Sequence, residues 1–513
     1  MAKKLWEKNK YIILSAIIFG IAAHGMALLN KFCTFDDAAF LNSVGHTYKS
    51  GRWMLDLTEK IHTAILGNGT TLSTPLFNGL LSLIFIAVAA CFIIGTLKIK
   101  NKYLQMMLSG LMVVFPVITS LFAFMFTAPY YMLSLCVGSF AVWLISQNKR
   151  WYCWLVGGII LGCCTGIYQG FIPTFIGLCL LACINEVYST EGCSFRTIIK
   201  IMLYYGGACI VMLISYLLLN KLLLAINNTF LADYKGVSDF GVTSAKGYIK
   251  RIIRAYKEFF LLTGDKANSL HPIRTRVYYY AALTLSILLS IFILLQAHKK
   301  GSSALQALLL AALICLVPLA TEFTYVMCEE KDIWTLMMYG NIIIFVYLVW
   351  AADNIGLSRP KNIACGVAAA LLLLMNIVYL KYDNICYLKA EILQEEAKSY
   401  YTELVTRIQS TEGYNSDMPV IYLNELHKNL DSSITADSGL FDVANNIPYG
   451  SYGSYYSINS LHWDVVMKIW TGFDPVIGDV ENLGNTERIA ELTAYPDEGS
   501  IAVIDGNVVV KFY

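Results

Sequence analysis

Two adjacent carboxylates, Asp36 and Asp37, follow shortly after the first long apolar stretch of the sequence. Aromatic neighbours such as Phe35 and Phe40 would partly shield this pair from water. Because like charges in a poorly solvated place raise the pKa of one partner, such a pair can accept or donate a proton near neutral pH. The same residues can instead cap a helix, since Asp accepts hydrogen bonds from the N–H groups of a first helical turn. Both interpretations stay open at this point.

The segment Ser50–Leu57 supplies a second group of candidate residues and has the pattern of a short amphipathic helix at a membrane surface. Arg52 can bind a phosphate or carboxylate through two parallel hydrogen bonds. Trp53 can lie against lipid or against the face of a sugar ring. The alternative is an anchoring helix in which Arg52 pairs with Asp56, one helical turn away.

Two short turns rich in aromatic residues, Phe126–Tyr131 and Gly166–Gly170, separate apolar segments. Tyr130, Tyr168 and Gln169 in these turns could close over a small polar substrate and offer hydrogen bonds at the rim of an apolar cavity. The alternative is an ordinary aromatic belt at the membrane surface, with Gln169 satisfying the end of a neighbouring helix.

A dense ionisable stretch, Thr321–Asp332, contains Glu322 and Lys331. Ionisable residues at membrane depth favour a functional hypothesis, and Glu322 is the one closest to the preceding apolar segment. We therefore include Glu322 and Lys331 among the candidate substrate-binding residues.

Basic residues recur with helical spacing in a long connecting segment before residue 260. They could meet a lipid phosphate, although a basic helix at the membrane surface needs no specific ligand. These residues are Lys246, Lys250, Arg251, Arg254 and Lys257.

The composition identifies the elements that must position these residues. Of the 513 residues, 57% are hydrophobic and 14% are charged, whereas roughly a quarter of the residues of a soluble protein are charged. Apolar windows of about 20 residues, long enough to cross a bilayer, recur between residues 11 and 381. The net charge of +2 gives no support for a nucleic-acid partner, and the 14 cysteines show no spacing typical of a metal site.

We therefore predict a mainly α, polytopic membrane protein of about eleven transmembrane helices. The predicted helices cover residues 11–29, 75–97, 104–124, 130–146, 153–168, 170–187, 201–224, 278–296, 304–320, 336–353 and 363–381.

Basic residues are concentrated in alternate short connections, on the same side as the basic amino terminus. By the positive-inside rule this side is cytoplasmic, and an odd number of crossings places the carboxyl-terminal region outside. We expect a multi-pass protein of the inner or plasma membrane with external loops at 30–74 and 225–277. The basic connections contain Lys98, Lys100 and Lys102; Lys149 and Arg150; Arg196 and Lys200; Lys299 and Lys300; and Arg359 and Lys361.

The polar region 382–513 has the pattern of a small α/β domain outside the membrane, following a membrane domain at 1–381. Residues 390–407 have helical spacing, and residues 419–423 resemble a strand. Asp505-Gly506 lies between two runs of β-branched residues, which is a strong signal for a β-hairpin.

Several short motifs together resemble the bacterial glucosyltransferase type II family, first associated with O-antigen modification. The resemblance covers about residues 10–350. Its motifs are Phe35-Asp36-Asp37, Ser50-Gly51-Arg52-Trp53, Ser73-Thr74-Pro75, Ala128-Pro129-Tyr130 and Gly166-Ile167-Tyr168-Gln169.

The resemblance implies a membrane glycosyltransferase of the GT-C type, acting on the extracytoplasmic face. Its donor would be a polyprenyl-phosphate sugar, with undecaprenyl-phosphate glucose expected, and its acceptor a surface polysaccharide or lipid-linked glycan. An acidic residue of the first external loop, here Asp36 or Asp37, would activate the acceptor hydroxyl. Arg52 and Lys331 would neutralise the leaving phosphate, although related chains have an arginine in the region of Lys331. A divalent metal ion bridging a carboxylate to the phosphate is compatible with this chemistry, but the residue spacing does not require one.

Two other functions fit parts of the pattern. A transporter or flippase of lipid-linked sugars would also need an apolar cavity and buried charge, but it usually keeps its charged residues near the midplane. The candidate residues here cluster on the external side, which favours the enzyme. A noncatalytic scaffold with an external binding domain would make the Asp pair dispensable.

Overall fold

The computed structural model describes residues 2–32, 37, 47–67, 73–147, 150–190, 194–232, 243–264, 270–272, 275–299, 304–329, 333–356, 358–424, 463–484 and 486–512. The chain divides into two compact units. The first contains Met1–Asn30 and Asn42–Asn384, and the second contains Lys31–Leu41 and Ile385–Tyr513.

The described part of the first unit is helical, as expected for apolar segments whose backbone groups must bond within the segment in lipid. Its helices are α1 (Ala2–Leu29), α2 (Trp53–Leu66), α3 (Pro75–Leu97), α4 (Lys102–Val114), α5 (Pro116–Phe122), α6 (Ala128–Gln147), α7 (Trp151–Ile167), α8 (Ile172–Ser189), α9 (Phe195–Ile226), α10 (Ala245–Leu261), α11 (Arg276–Lys299), α12 (Ala304–Cys315), α13 (Val317–Thr321), α14 (Thr324–Met327) and α15 (Ile343–Asn354). The long helix α16 (Ser358–Ser410) begins in the first unit and ends in the second.

Among the described residues, nine helical spans are long and apolar enough to cross a membrane, if α4 with α5 and α12 with α13 each count as one span. The predicted fold class, a mainly α polytopic membrane protein, is thereby confirmed. Each of the eleven predicted segments contains helix, but α7 is shorter than the nine, and the segment predicted at 336–353 is irregular at its start. There two 3-10 turns, Thr335–Met337 and Tyr339–Ile342, precede α15.

Prolines and close backbone contacts explain the interruptions. Pro116 begins α5, and Phe115 before it has an extended backbone, because the residue before a proline avoids helical geometry. Gly340 lies in the second 3-10 turn, where a Cβ atom would come within 2.6 Å of Pro173 and 2.9 Å of the Thr321 carbonyl oxygen. This part of the chain therefore packs too closely for a larger residue.

Small residues let α7 and α9 approach each other closely. A Cβ atom at Gly162 would lie 2.0 Å from the Ser215 hydroxyl oxygen, and one at Gly158 would lie 2.8 Å from the Ala208 carbonyl oxygen. Such small-residue contacts are the usual way in which membrane helices pack tightly. The approach brings Tyr216 of α9 close to the chain that follows α7.

The second unit contains a three-stranded sheet with the order β1-β3-β2, formed by β1 (Val420–Leu423), β2 (Ile501–Ile504) and β3 (Asn507–Lys511). β1 is parallel to β3, and β2 is antiparallel to it. Asp505 and Gly506 connect β2 to β3 with φ angles of 49° and 75°, so the predicted hairpin is confirmed. The described part of this unit also contains two short helices, α17 (Trp463–Thr471) and α18 (Thr486–Glu491), and a 3-10 turn, Val480–Asn482.

Candidate functional site

Arg52 directly precedes α2 and follows a tight turn. The Arg52 N–H donates to the Thr47 carbonyl oxygen at 2.9 Å, and Gly51 between them has a φ angle of +72°. A Cβ atom at Gly51 would lie 2.5 Å from the Tyr216 hydroxyl oxygen and 2.8 Å from Nε2 of Gln169. Glycine is therefore needed here both for its backbone conformation and for space.

Gln169 and Tyr216 hold the backbone of this turn. Nε2 of Gln169 donates to the Ser50 carbonyl oxygen at 2.8 Å and to the Tyr216 hydroxyl at 3.1 Å. The Tyr216 hydroxyl donates to the Gly51 carbonyl oxygen at 3.2 Å. The amide of Gln169 thus bonds to protein groups next to Arg52, so its effect on a ligand would be exerted through the position of Arg52.

The side chain of Arg52 lies over a pair of stacked tyrosines. Nη1 of Arg52 donates to the Tyr131 hydroxyl at 3.1 Å, and the guanidinium carbon lies 5.7 Å from the ring centroid of Tyr168 and 6.0 Å from that of Tyr131. The two rings are 4.3 Å apart and inclined by 22°. A cation over an aromatic face gains about 0.5–2 kcal/mol, depending on how well water is excluded.

In the part of the chain that the structure describes, Asp56 forms its ion pair with Lys60 and not, as the alternative expected, with Arg52. Oδ2 of Asp56 pairs with Nζ of Lys60 at 2.8 Å and accepts a hydrogen bond from the Tyr48 hydroxyl at 2.5 Å. The contact with Asp56, together with a hydrogen bond that Nζ of Lys60 donates to the Tyr48 hydroxyl at 3.4 Å, raises the pKa of Lys60. The Arg52 side chain instead lies against Tyr131 and Tyr168.

A continuous series of buried rings extends from the Arg52 site into the first unit. The centroid distances are 5.2 Å from Tyr168 to Phe171, 5.6 Å from Phe171 to Tyr339, 6.2 Å from Tyr339 to Phe115 and 6.4 Å from Phe115 to His271. The Tyr168 hydroxyl also donates to the Leu336 carbonyl oxygen at 2.9 Å. These contacts fix the ring that supports Arg52.

His271, at the far end of this series, is fully buried. Its Nδ1 lies 2.8 Å from the Tyr379 hydroxyl oxygen, and its ring centroid lies 4.5 Å from that of Tyr279. Burial lowers the pKa of His271 to about 3. The imidazole is therefore neutral at physiological pH and can serve as a hydrogen-bonding group but not as a cation.

Glu322 follows the candidate span Ala304–Thr321 directly and is buried. Nδ2 of Asn341 donates to its Oε2 at 3.3 Å. Burial, together with the charge of Glu258, raises the pKa of the Glu322 carboxyl to about 8, although the hydrogen bond from Asn341 opposes the shift. At neutral pH the carboxyl is mainly protonated and can donate a hydrogen bond.

The neighbouring Glu258 is also buried but has several partners. It pairs with Nη2 of Arg254 at 3.0 Å and accepts hydrogen bonds from the Gly264 N–H at 2.7 Å and the Thr263 hydroxyl at 2.5 Å. These contacts bind the end of α10 to the chain that follows it. Glu258 therefore has a structural environment unlike that of Glu322.

Asp37 belongs to the second compact unit, whereas Arg52 and Glu322 belong to the first. The Asp37 side chain is buried and forms an ion pair with Lys31. Close by in the sequence, Phe32 stacks on Tyr387 with centroids 6.3 Å apart. The other predicted members of the site, Asp36 and Lys331, lie outside the described residues.

Trp53 and Tyr130 occupy positions around α2. Trp53 is buried against α7, where a Cβ atom at Gly166 would lie 2.5 Å from the indole ring. Tyr130 is half-buried, with its ring 6.3 Å from that of His62 in an edge-on arrangement. Contacts of Trp53 and Tyr130 with a substrate remain predictions.

Two residues that sequence reasoning did not select, Tyr131 and Tyr216, contact the Arg52 segment. The tandem Tyr130-Tyr131 gave a partial signal, but the rotation of α6 decides which ring faces Arg52. Tyr216 lies within an apolar helix, and no pattern in the sequence distinguishes it from a tyrosine facing lipid.

Over the part of the chain that the structure describes, no group of three or more His, Cys, Asp or Glu side chains is arranged to hold a metal ion. The hydrogen bonds of Arg52 and of the turn before it, as the described residues give them, involve guanidinium, hydroxyl and amide groups. This set suits the binding of a phosphate or of sugar hydroxyls.

The family model described as Glucosyl transferase GtrII matches residues 25–345, more than half of the chain. No curated protein and no solved structure gives a significant match. The matched range includes Arg52, Tyr131, Tyr168 and Glu322, and it confirms the resemblance drawn from the short motifs. This membrane protein therefore belongs to the glucosyl transferase GtrII family.

Proposed function

We propose that this glucosyltransferase takes glucose from a polyprenyl-phosphate donor, expected to be undecaprenyl-phosphate glucose. It transfers the sugar to a surface polysaccharide or lipid-linked glycan on the extracytoplasmic face. The observation that carries the proposal is the fixed position of the Arg52 guanidinium above Tyr131 and Tyr168.

The location of Arg52 supports a lipid-linked donor. Tyr131 lies in the first turn of the candidate span Ala128–Gln147, and Tyr168 directly follows the apolar helix α7. The supporting rings thus lie at the ends of membrane helices. Lipid phosphates lie at the same depth in a bilayer. A donor whose prenyl chain lies in the hydrocarbon would present its phosphate at this level.

The reaction requires charge stabilisation at the leaving phosphate. As the acceptor oxygen bonds to the anomeric carbon, the bond from that carbon to the phosphate oxygen breaks, and polyprenyl phosphate leaves with the electron pair. Arg52 supplies the positive charge for the departing phosphate, with Lys331 as a second proposed cation. Because Gly51, Gln169 and Tyr216 fix the turn before Arg52, the guanidinium needs little rearrangement during the reaction.

The acceptor hydroxyl must lose a proton in the same step. We assign that proton to the carboxylate of Asp36 or Asp37, with the other carboxylate orienting the base. A single displacement of this kind inverts the anomeric configuration. The carboxyl of Glu322, protonated at neutral pH, is proposed to donate a hydrogen bond to a sugar hydroxyl or phosphate oxygen.

The test is transfer of labelled glucose from a synthetic polyprenyl-phosphate donor in membranes carrying the wild-type protein or single variants. The variants Arg52→Gln, Asp36→Asn and Asp37→Asn are compared with Lys60→Gln, which removes an exposed cation from α2, the helix that follows Arg52. Loss of transfer with Arg52→Gln and with at least one Asp variant, and not with Lys60→Gln, supports the proposal. Wild-type transfer in Arg52→Gln, or in both Asp variants, contradicts the roles assigned to these residues.

A second assay separates the enzyme from the flippase alternative. The purified protein is reconstituted in vesicles with a fluorescent polyprenyl-phosphate sugar, and the fraction that a membrane-impermeant reagent can reach is measured over time. The proposal expects no movement between leaflets above that of empty vesicles. Movement between leaflets without any transfer to acceptor would favour the flippase.

A further inference from the structure

The basic helix α10 lies at the boundary of the membrane region. The Tyr256 hydroxyl donates to the Cys315 carbonyl oxygen at 2.8 Å, within the candidate span Ala304–Thr321. The Phe259 carbonyl oxygen accepts a hydrogen bond at 2.7 Å from Tyr279, which lies in the first turns of α11. α10 is thus bonded to the last turns of one span and the first turns of another.

The inward face of α10 is fully engaged with the protein. Ala255, Glu258 and Phe259 are buried. Nη1 of Arg251 donates to the Met327 carbonyl oxygen at 3.3 Å, and Arg254 pairs with Glu258. Arg251 therefore attaches the helix to the chain near Met327, whereas Arg254 forms its ion pair within the helix.

The outward face alternates cationic and apolar residues. Ile249, Ile253 and Phe260 are 58%, 63% and 43% exposed, which is unusual for such residues in contact with water. Three exposed lysines, spaced three or four residues from these apolar side chains, share the face. Within the described part of the chain, these lysines form no ion pair or hydrogen bond. They are Lys246, Lys250 and Lys257.

This arrangement is typical of a helix embedded in the surface of a lipid leaflet. The apolar side chains enter the acyl region, and the long lysine side chains extend to the headgroup phosphates. The helix contains five basic residues and one acidic residue, although the whole protein has a net charge of only +2. Positive charge is therefore concentrated where an anionic lipid surface would attract it.

We propose that the outward face of α10 binds the anionic phospholipid headgroups of the leaflet in which it lies. Lys246, Lys250 and Lys257 bind the phosphates, while Ile249 and Ile253 anchor the helix in the acyl region. This assignment rests on the division between paired arginines on one face of α10 and unpaired lysines on the other. The assignment is independent of the donor and acceptor of the transfer reaction.

The proposal is tested by photocrosslinking in the full-length protein. A benzophenone amino acid replaces Ile253, and the protein is reconstituted in phosphatidylcholine vesicles with equal, trace amounts of radiolabelled phosphatidylglycerol or radiolabelled phosphatidylcholine. We expect labelling by phosphatidylglycerol to exceed labelling by phosphatidylcholine roughly threefold or more, because the anionic lipid is concentrated near the lysines. The triple variant K246Q/K250Q/K257Q should bring the ratio close to one.

Three controls define the result. Benzophenone at Ile214, an exposed residue within the candidate span Phe195–Ile226, should label both lipids equally. The variant K98Q/K100Q/K102Q removes the same charge elsewhere in the chain and should leave the ratio at residue 253 unchanged. The variant K246R/K250R/K257R keeps the charge and should keep the ratio.

Equal labelling by the two lipids at residue 253 overturns the proposal, as does a ratio that survives removal of the lysines. Displacement of phosphatidylglycerol by a small excess of polyprenyl phosphate would also overturn it and assign the face to the sugar donor. If the glutamine variant does not fold, raising the ionic strength gives an independent measurement on the wild-type sequence. The phosphatidylglycerol preference must then fall with salt, since ions screen the lysines, and a preference insensitive to salt contradicts the assignment.

Discussion

Tyr131 and Tyr168 stack with ring centroids 4.3 Å apart and together support the guanidinium of Arg52. The two rings come from different parts of the chain, α6 and the turn after α7. Their contact therefore makes the position of Arg52 depend on the packing of these helices. Substitutions of Arg52 and Tyr131 can therefore separate the charge of Arg52 from this support.

Replacing Arg52 by lysine should lower glucosyl transfer although the charge is kept. A lysine ammonium is compact and cannot make the planar contacts that a guanidinium makes with aromatic rings and with a phosphate. We expect kcat/KM to fall roughly 10- to 100-fold, equivalent to about 1.4–2.7 kcal/mol of transition-state stabilisation. Arg52→Gln should be worse than Arg52→Lys, and equal activity of the two variants would show that charge at this position is unimportant.

Tyr131→Phe should have a smaller effect than Tyr131→Ala. The phenylalanine keeps the stacked ring but loses the hydroxyl that accepts the hydrogen bond from Arg52, whereas alanine loses both. We expect about a three- to tenfold loss of transfer for the first variant, in the range of one ordinary hydrogen bond of about 0.5–1.5 kcal/mol. The matched control is Tyr103→Phe, at an exposed position, and it should retain full activity.

Gly51→Ala should reduce both stability and transfer. Its Cβ atom would meet the Tyr216 hydroxyl and the Gln169 amide, and its φ angle of +72° is unfavourable for alanine. Such strain costs about 1–3 kcal/mol, and relief by movement of the turn would displace Arg52. Thermal unfolding and transfer assays together measure the two effects.

Gly67→Ala is the matched control for this substitution. Gly67 also has a positive φ angle, but a Cβ atom there would meet nothing within 4 Å. It should show some loss of stability but near-normal transfer. The double variant Gly51→Ala with Tyr216→Phe removes one of the colliding atoms and should recover part of the lost activity; no recovery would mean that crowding by the hydroxyl is not the cause.

Glu322 should make the stability of the protein depend on pH. The carboxyl ionises near its ordinary pKa of 4.5 in the unfolded chain but only near 8 in the folded one. The contribution of this carboxyl to folding stability is therefore greatest below about pH 4.5 and falls as the pH rises towards 8, above which the loss is constant. The variant Glu322→Gln should lack this component.

The measurement is thermal unfolding in detergent between pH 5.5 and 8.5. The Tm of Glu322→Gln relative to wild type should increase across this range, whereas that of Glu412→Gln, at an exposed position, should stay level. If the protonated carboxyl also donates to the substrate, wild-type transfer should decline above pH 8 and Glu322→Gln should lose this decline. A relative Tm that falls with pH would contradict the raised pKa.

Much of the fold could be predicted because lipid imposes strong rules on sequence. Long apolar segments must be helical in a bilayer, and the Asp505-Gly506 hairpin has a direct local signal. The interruption before α15 was not predictable, since it depends on the close contact of Gly340 with Pro173, a residue far away in the sequence. Hydropathy shows that such a segment is buried but not that its backbone is irregular.

The site was predictable only in part for a related reason. Arg52, Tyr168 and Gln169 carry residue types and neighbours that indicate a role. The support from Tyr131 and Tyr216 arises from helix rotation and packing, which leave no local pattern. The position of Glu322 next to a span was predicted, but its hydrogen bond with Asn341 depends on the irregular turn before α15.

The ion pair of Lys31 and Asp37 allows a structural role of this carboxylate to be separated from a catalytic one. Both side chains lie in the second compact unit, and that of Asp37 is buried. Removing one member of a fully buried pair typically costs about 3–5 kcal/mol, and removing both costs less. Because the Lys31 side chain is 24% exposed, each single removal should cost less than that range. Lys31→Gln and Asp37→Asn should therefore each lower Tm, and the double variant should recover much of the lost Tm.

If Asp37 is the base, the double variant stays inactive despite its recovered stability, with a loss of roughly 10²- to 10⁴-fold in kcat. If transfer returns together with Tm, the carboxylate of Asp37 serves the fold and Asp36 is the remaining candidate for the base.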